Sequence, residues 1–374
     1  MMHFDDALLD LHELLKNLLN NTRENRVTTM AELTWKGKHN TDAQHFTGEQ
    51  SHLSSPQLHT LETFSNQLQE NSPQTTLSPS PTWFNRLICG DKSQVLPALM
   101  REFANSINLI YIDPPFMTGR DFTSGTQLAY SDKWDNNLDV YLQWLYETFV
   151  QLHRLLALDG SLYIHLDWRA THYAKVILDE VFGYRSDADG PGFKSEIIWH
   201  YQSGGRSHKC YARKHDTILL YTRSAQYCFH GERIGERRGT QKRNHMRKQV
   251  ESDGRVTWTI RSAGRIYSYD EDAIMTPSDV WNDIGHLHQK DPERNGYATQ
   301  KPAALLERII LASSEENDLI LDCFCGSGAA PAVAEQLGRR WIACDQSTLA
   351  IQMTEKRLLA QKHFRPFVLQ RVNP

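Results

Sequence analysis

Short apolar runs of buried-strand character alternate along most of this chain with segments of helical apolar spacing, and no other feature restricts the fold as much. Arg86–Cys89 ends in Gly90-Asp91, Asn108–Ile112 (NLIYI) stops at Asp113-Pro114-Pro115, and Ser161–Asp167, Leu319–Asp322 and Trp341–Asp345 are runs of the same kind. Apolar runs this short, bounded by turn residues, read as strands covered on both faces. Between them Leu138, Leu142, Leu145, Phe149, Leu152 and Leu156 recur at three- or four-residue steps, which predicts a helix closed by Asp159-Gly160. Further helices are expected over Tyr173–Phe182, from Pro302 to about Ser313, from the glycine loop to about Leu337, and after Asp345. The alternation specifies an α/β fold, a mostly parallel sheet with helices on both faces.

Two regions depart from this pattern. Phe4, Leu8, Leu11, Leu15 and Leu18 mark an amphipathic helix in an N-terminal segment 1–35, suited to docking or dimerisation. Residues 36–82 are rich in Ser, Thr, Gln, Asn and His, with Pro56, Pro73, Pro79 and Pro81, and are expected to be a polar linker or loosely ordered lead-in. The histidines there lack metal-ligand spacing, and the 6 cysteines are too scattered for a disulfide scaffold or a zinc site, so no metal is expected. No run approaches the roughly 18 apolar residues of a membrane span, so a cytoplasmic protein without a membrane partner is expected. The formal net charge of −4 hides an asymmetry. Residues 194–270 hold 16 Lys and Arg against 7 Asp and Glu, net +9, which leaves −13 elsewhere. Aromatic residues interleave with these cations, a mixture suited to phosphates and bases. The expected organisation is an α/β half at 83–193, a basic insert at 194–280 and a second α/β half at 281–374.

Two loops carry chemistry. Asp322-Cys323-Phe324-Cys325-Gly326-Ser327-Gly328 joins a strand to a helix, where glycines let backbone approach a ligand closely, and the next strand ends in Asp345, placed to accept ribose hydroxyls. The third glycine of a dinucleotide fingerprint and the Lys-Ser/Thr of a P-loop are both missing, so a nucleoside cofactor without phosphate fits best. In Asp113-Pro114-Pro115-Phe116 two prolines fix the chain and remove N–H donors, leaving a carboxylate, a carbonyl and an aromatic ring for a flat base bearing an amino group. Cys323 and Cys325 read as packing residues, and His165 and Asp167 as residues beside or behind the pocket.

The stretches YIDPPFMTGRDF, GSLYIHLDWRATHYAKVILDEVFG, ATQKPAALLERII, DLILDCFCGSG and WIACDQS together resemble the DNA amino-methyltransferases that use S-adenosylmethionine. The motif order resembles their permuted beta class, in which a target recognition region lies between the catalytic and cofactor motifs. The resemblance covers about residues 83 to 360 and implies a Rossmann-like methyltransferase fold. It implies that Asp113, Pro114, Pro115 and Phe116 are catalytic, and that Asp91, Thr299, Lys301, Pro302, Asp322, Phe324, Cys325, Gly326, Ser327, Gly328 and Asp345 hold the cofactor. An aspartate heading the tetrapeptide is similar to adenine-N6 enzymes; cytosine-N4 transfer and an inactive DNA-binding relative are the alternatives, the latter because Ala329 and Ala330 stand where the family often has threonines. Arg206, Lys209, Arg213, Arg233, Arg237, Arg238, Lys242 and Arg243 are the candidates for contact with double-stranded DNA. A homodimer, a restriction endonuclease partner and a prokaryotic or phage cytoplasm complete what the resemblance implies.

Overall fold

The computed structural model describes residues 32–38, 56–65, 83–183, 190–202, 207–238 and 245–373. The first half holds β1 (Leu58–Phe64), β2 (Asn85–Cys89), α1 (Lys92–Phe103), β3 (Ile107–Ile112), β4 (Arg120–Ser124), β5 (Gln127–Asp132), α2 (Leu138–Leu155), β6 (Leu156–Leu166) and α3 (Thr171–Phe182). The middle holds β7 (Gly192–His200), β8 (His215–Thr222), α4 (Gly231–Ile234), β9 (Glu236–Arg237), β10 (Arg247–Val250), β11 (Val256–Ser262), β12 (Arg265–Asp270), β13 (Ile274–Met275) and β14 (Val280–Trp281). The last part holds α5 (Ala303–Ser313), β15 (Leu319–Asp322), α6 (Ala329–Gln336), β16 (Arg340–Asp345), α7 (Thr348–Leu359) and β17 (Phe367–Val372).

Ten strands form one sheet in the order β1-β17-β2-β16-β15-β3-β6-β8-β7-β14. From β17 to β6 every neighbouring pair is parallel, whereas β8 runs against both of its neighbours. Successive residues of a strand face opposite sides, so the central strands feed two cores. Ile88, Ile110 and Leu162 join α1, α2 and α3 through Leu96, Leu145 and Ile177. Leu87, Leu109 and Tyr163 join α5, α6 and α7 through Ile309, Val333 and Leu358. Each fully buried aliphatic side chain here contributes roughly 1.5–3 kcal/mol.

The helix expected to close at Asp159-Gly160 ends earlier, at Leu155, and β6 runs through that dipeptide. Gly160 serves close packing there, because a Cβ would lie 2.9 Å from the Ile107 carbonyl oxygen and 2.8 Å from the Leu156 side chain. The expected lead-in 36–82 also contains structure, since Leu58–Phe64 pairs antiparallel with β17. Backbone hydrogen bonds to an edge strand do not need apolar side chains, and composition alone misses them. The helix expected over residues 3–20 lies outside the described residues. Within the interval 194–280, strands β7, β8 and β14 belong to the central sheet. Outside that sheet stand the three-stranded β10-β11-β12 and the β9–β13 pair. Among the described residues no helix is long and apolar enough to cross a membrane.

Candidate active site

From β15 the chain passes through α6 to β16 on one side, and from β3 it passes through α2 to β6 on the other, although β15 and β3 are neighbours. A crevice opens at the carboxyl ends of two parallel strands whose connections diverge in this way. Both loops singled out in the sequence emerge there. Between them lies a cavity of about 310 Å³, lined by Asp91, Asp113, Pro115, Thr299, Lys301, Asp322, Phe324, Cys325, Gly326, Ser327 and Asp345 among others. Pro114, Phe116, Pro302 and Gly328 do not line it. Pro302 instead caps α5, and Gly328 caps α6.

The Asp113–Phe116 tetrapeptide is held by a buried carboxylate. Asp132, at the end of β5 and almost wholly buried, accepts hydrogen bonds from the backbone N–H groups of Phe116 (3.2 Å), Met117 (2.9 Å) and Thr118 (2.8 Å). The Thr118 hydroxyl (2.7 Å) and the Trp134 indole (2.8 Å) donate to the same carboxylate. Met117 takes a left-handed backbone, φ 61°, which this clamp holds in place. Tyr141 donates to the Pro115 carbonyl at 2.8 Å. In front, one carboxylate oxygen of Asp113 is paired with the Lys301 ammonium, and the other, Oδ1, is buried without a partner. Lys301 also lies 5.3 Å from the centroid of the Phe116 ring. Lys301, expected among the cofactor-holding residues, lines the cavity and pairs there with Asp113. Asp132 was missed altogether, because a carboxylate in a polar hairpin gives no periodic or motif signal.

The glycine loop is built on close approach. Gly326 has φ 47° and Gly328 φ 74°, and a Cβ on Gly328 would stand 2.7 Å from the Thr354 Cα. Asp345 accepts from the Gly326 N–H (3.0 Å) and the Ser347 N–H (2.9 Å), and burial pushes its carboxyl up to about 6. Burial, with Asp113 and Asp345 adding to it, holds Asp322 well above the usual carboxylate range. Burial pushes the Cys323 and Cys325 thiols well above their ordinary value, which disfavours the thiolate at both. Asp91 caps α1 through the Ser93 N–H at 2.8 Å while facing the cavity. Residues 293–302 tie to the loop: Asn295 donates to the Ser327 carbonyl at 3.0 Å, and Glu293 accepts from the Ala303 N–H at 2.9 Å. Tyr130, from β5, and Tyr297 also line the cavity. His165 is buried behind the site between the Tyr111 hydroxyl (3.2 Å) and Asp216 (3.0 Å), and Asp167 pairs with Arg169.

The basic candidates divide. Lys209 and Arg213 are exposed, and Arg213 lies 3.7 Å from the centroid of the exposed Trp168 ring. Arg237 is exposed and pairs with Asp272 at 3.2 Å. Arg233 is engaged by Glu315 at 2.8 Å and the Ser314 carbonyl at 3.2 Å. Arg238 is buried against Trp258. Arg206, Lys242 and Arg243 lie outside the described residues.

A doubly covered parallel sheet whose switch point joins a glycine loop to an acid-headed proline notch is the architecture of a Rossmann-like methyltransferase. Residues 107–356 match the family model N6_N4_Mtase, described as DNA methylase. The chain belongs to this N6/N4 DNA methylase family. It is 33% identical over 275 residues to the type II methyltransferase M.HpaI of Haemophilus parainfluenzae, covering 73% of this chain and 74% of that protein. It is 30% identical over 288 residues to the DNA adenine methyltransferase YhdJ of Escherichia coli strain K12, covering 76% and 86%. Among solved structures, the M1.HpyAVI–SAM complex aligns at 17% identity with a TM-score of 0.47, over 73% of this chain and 98% of that one.

Proposed function

We propose that this protein methylates the exocyclic N6 of an adenine rotated out of duplex DNA, with S-adenosylmethionine as the donor. The observation that carries the reading is the Asp113 carboxylate: one oxygen is fixed by Lys301, and the other is a buried acceptor without a donor, in the cavity that the glycine loop also lines. An unpaired buried acceptor costs about 1–3 kcal/mol, and an amino hydrogen of a bound base would satisfy it.

The cavity residues fit the cofactor. Asp91, Asp322 and Asp345 offer acceptors for its ribose and amino groups, and the Tyr297, Phe324 and Trp144 rings line the same space and suit a sulfonium cation. Bound there, S-adenosylmethionine supplies an electrophilic methyl group. Asp113 then has two tasks. It draws an amino hydrogen out of the ring plane, which frees the nitrogen lone pair, and it stabilises the positive charge that grows on that nitrogen. The Asp132 clamp fixes the loop, so the carboxylate need not reorganise during transfer. Rotation of the base out of the stack costs a few kcal/mol, which phosphate and stacking contacts offset. Exposed Lys209, Arg213 and Arg237 supply such contacts in this reading. The relatives' type II names support a restriction endonuclease companion, and copurification from the native host tests it; light scattering of the pure protein tests for a homodimer.

Sequencing of modified bases in DNA from cells expressing the protein decides the function. N6-methyladenine at one sequence context is expected. N4-methylcytosine, or no modification with undiminished S-adenosylmethionine binding, would overturn the reading.

A further inference from the structure

At the amino end of the central strand β15, the end opposite the cavity, where the loop after α5 enters it, three different donor side chains converge. Cys228 Sγ lies 3.1 Å from His230 Nε2, and Glu315 Oε1 lies 2.7 Å from the same nitrogen. Ligand atoms of all three residues lie within 4.8 Å of one another. Nε2 has one lone pair or one proton, so it can serve the thiol or the carboxylate but not both at full strength. A cation at the centre of the three would satisfy all of them. The other ring nitrogen, Nδ1, lies 3.1 Å from Glu232 Oε1, the carboxylate–histidine contact that orients an imidazole toward a metal. Arg233 holds Glu315 from outside, at 2.9 and 2.8 Å. Cys228 and His230 stand two apart in the chain, and the thiol and the imidazole meet.

We infer that Cys228, His230 and Glu315 form a zinc-type metal site that fastens the start of the 228–238 segment to the loop before β15. The metal–ligand lengths of a tetrahedral zinc site put its S, N and O donors roughly 3.3–3.6 Å apart, so the cluster needs to open by less than about 1 Å at its shortest contact. Three protein ligands leave a fourth position for water. The backbone already prepares the junction: the Cys228 N–H donates to the Asp159 carbonyl at 3.4 Å, and the His230 N–H to the Ala312 carbonyl at 2.7 Å. A metal would cross-link two chain segments far apart in sequence, remote from the methyl-transfer chemistry.

Cobalt(II) titration of the full-length protein, treated first with a chelator, tests the inference. One equivalent should bind with a near-ultraviolet thiolate-to-cobalt absorption and tetrahedral visible bands, and zinc should displace it. Cys228→Ser should abolish the charge-transfer band, and Glu315→Gln should weaken cobalt binding at least tenfold. Cys210→Ser, which removes an exposed thiol bonded to Ser207, should leave both unchanged. Zinc should raise the melting temperature of the wild type and not that of Cys228→Ser. Absence of the absorption, its survival in Cys228→Ser, or equal cobalt affinity in the wild type and Glu315→Gln would overturn the site. Glu315→Gln retains the carbonyl that Arg233 contacts, and keeps the test open if Cys228→Ser does not fold.

Discussion

In the proposed mechanism transfer turns on Asp113 and Lys301, and their parts are separable. Asp113→Ala removes the acceptor for the amino group but leaves the glycine loop untouched; calorimetry should show near-normal S-adenosylmethionine affinity while methylation of DNA is lost. Lys301→Met leaves the carboxylate without its orienting partner, and single-turnover kinetics should show a fall of about 10–100-fold at saturating substrate, the scale of a misplaced catalytic group. Asp345 gives a pH test. Its carboxyl sits at about 6 against a usual value of 3.8. The folded state therefore holds the proton more tightly than the unfolded chain, and this contribution to stability is complete below about 3.8 and lost as pH rises through about 6. Without cofactor, the melting temperature of the wild type relative to Asp345→Asn should fall across that interval. Affinity for the cofactor should rise over the same range in the wild type, because ribose hydroxyls donate best to an ionised carboxylate. Asp113 and Asp345 were legible because the one follows and the other ends a recognisable strand. Arg238 was misjudged because sequence does not reveal that Trp258 covers it.

Among the elements, the β4–β5 hairpin matters most to the site while carrying none of its motifs. It delivers Asp132 to the loop after Asp113 and Tyr130 to the wall of the cavity. Asp132→Ala strands three backbone N–H groups, and should lower turnover by about 10²-fold with little change in cofactor affinity. Comparable turnover in the variant would remove the clamp from the mechanism. A second buried carboxylate, Glu335, plays the corresponding part for the sheet: it accepts from Asn85, the Trp341 indole and the Arg365 N–H, each at 2.8 Å. Glu335→Ala should cost about 2–4 kcal/mol in chemical denaturation, since it leaves several buried donors unpaired. Neither carboxylate could be found from spacing, because their partners lie on other elements. Helix and strand periods were readable wherever one face was apolar; the α2–β6 junction was not, because Asp159-Gly160 looks like a stop yet sits inside a strand.

For the molecule as a whole, charge is sorted in space. The β10-β11-β12 sheet exposes Arg247, Lys248, Arg261 and Arg265, whereas acids dominate elsewhere. DNA affinity should fall steeply with salt, each phosphate contact adding about 0.9 to the slope of log K against log salt. Neutralising Lys209, Arg213, Arg247 and Lys248 together should flatten that slope by several units; an unchanged slope would place the duplex on another face. The α/β class and both site loops were legible because each is written in consecutive residues. The membership of β7 and β8 in the central sheet was not, because the surrounding basic loops masked two apolar runs.

The strand order has a consequence for synthesis on the ribosome. β2 and β3 are made early, yet the two strands that separate them, β15 and β16, are translated only after residue 318. The nascent chain therefore carries two open hydrogen-bonding edges facing a gap at the middle of its future sheet, and unpaired edges of this kind invite pairing with other chains. Premature termination before β15 yields a product with no donor pocket and an adhesive interior, so translation of residues 319–345 both completes the pocket and seals the sheet against aggregation.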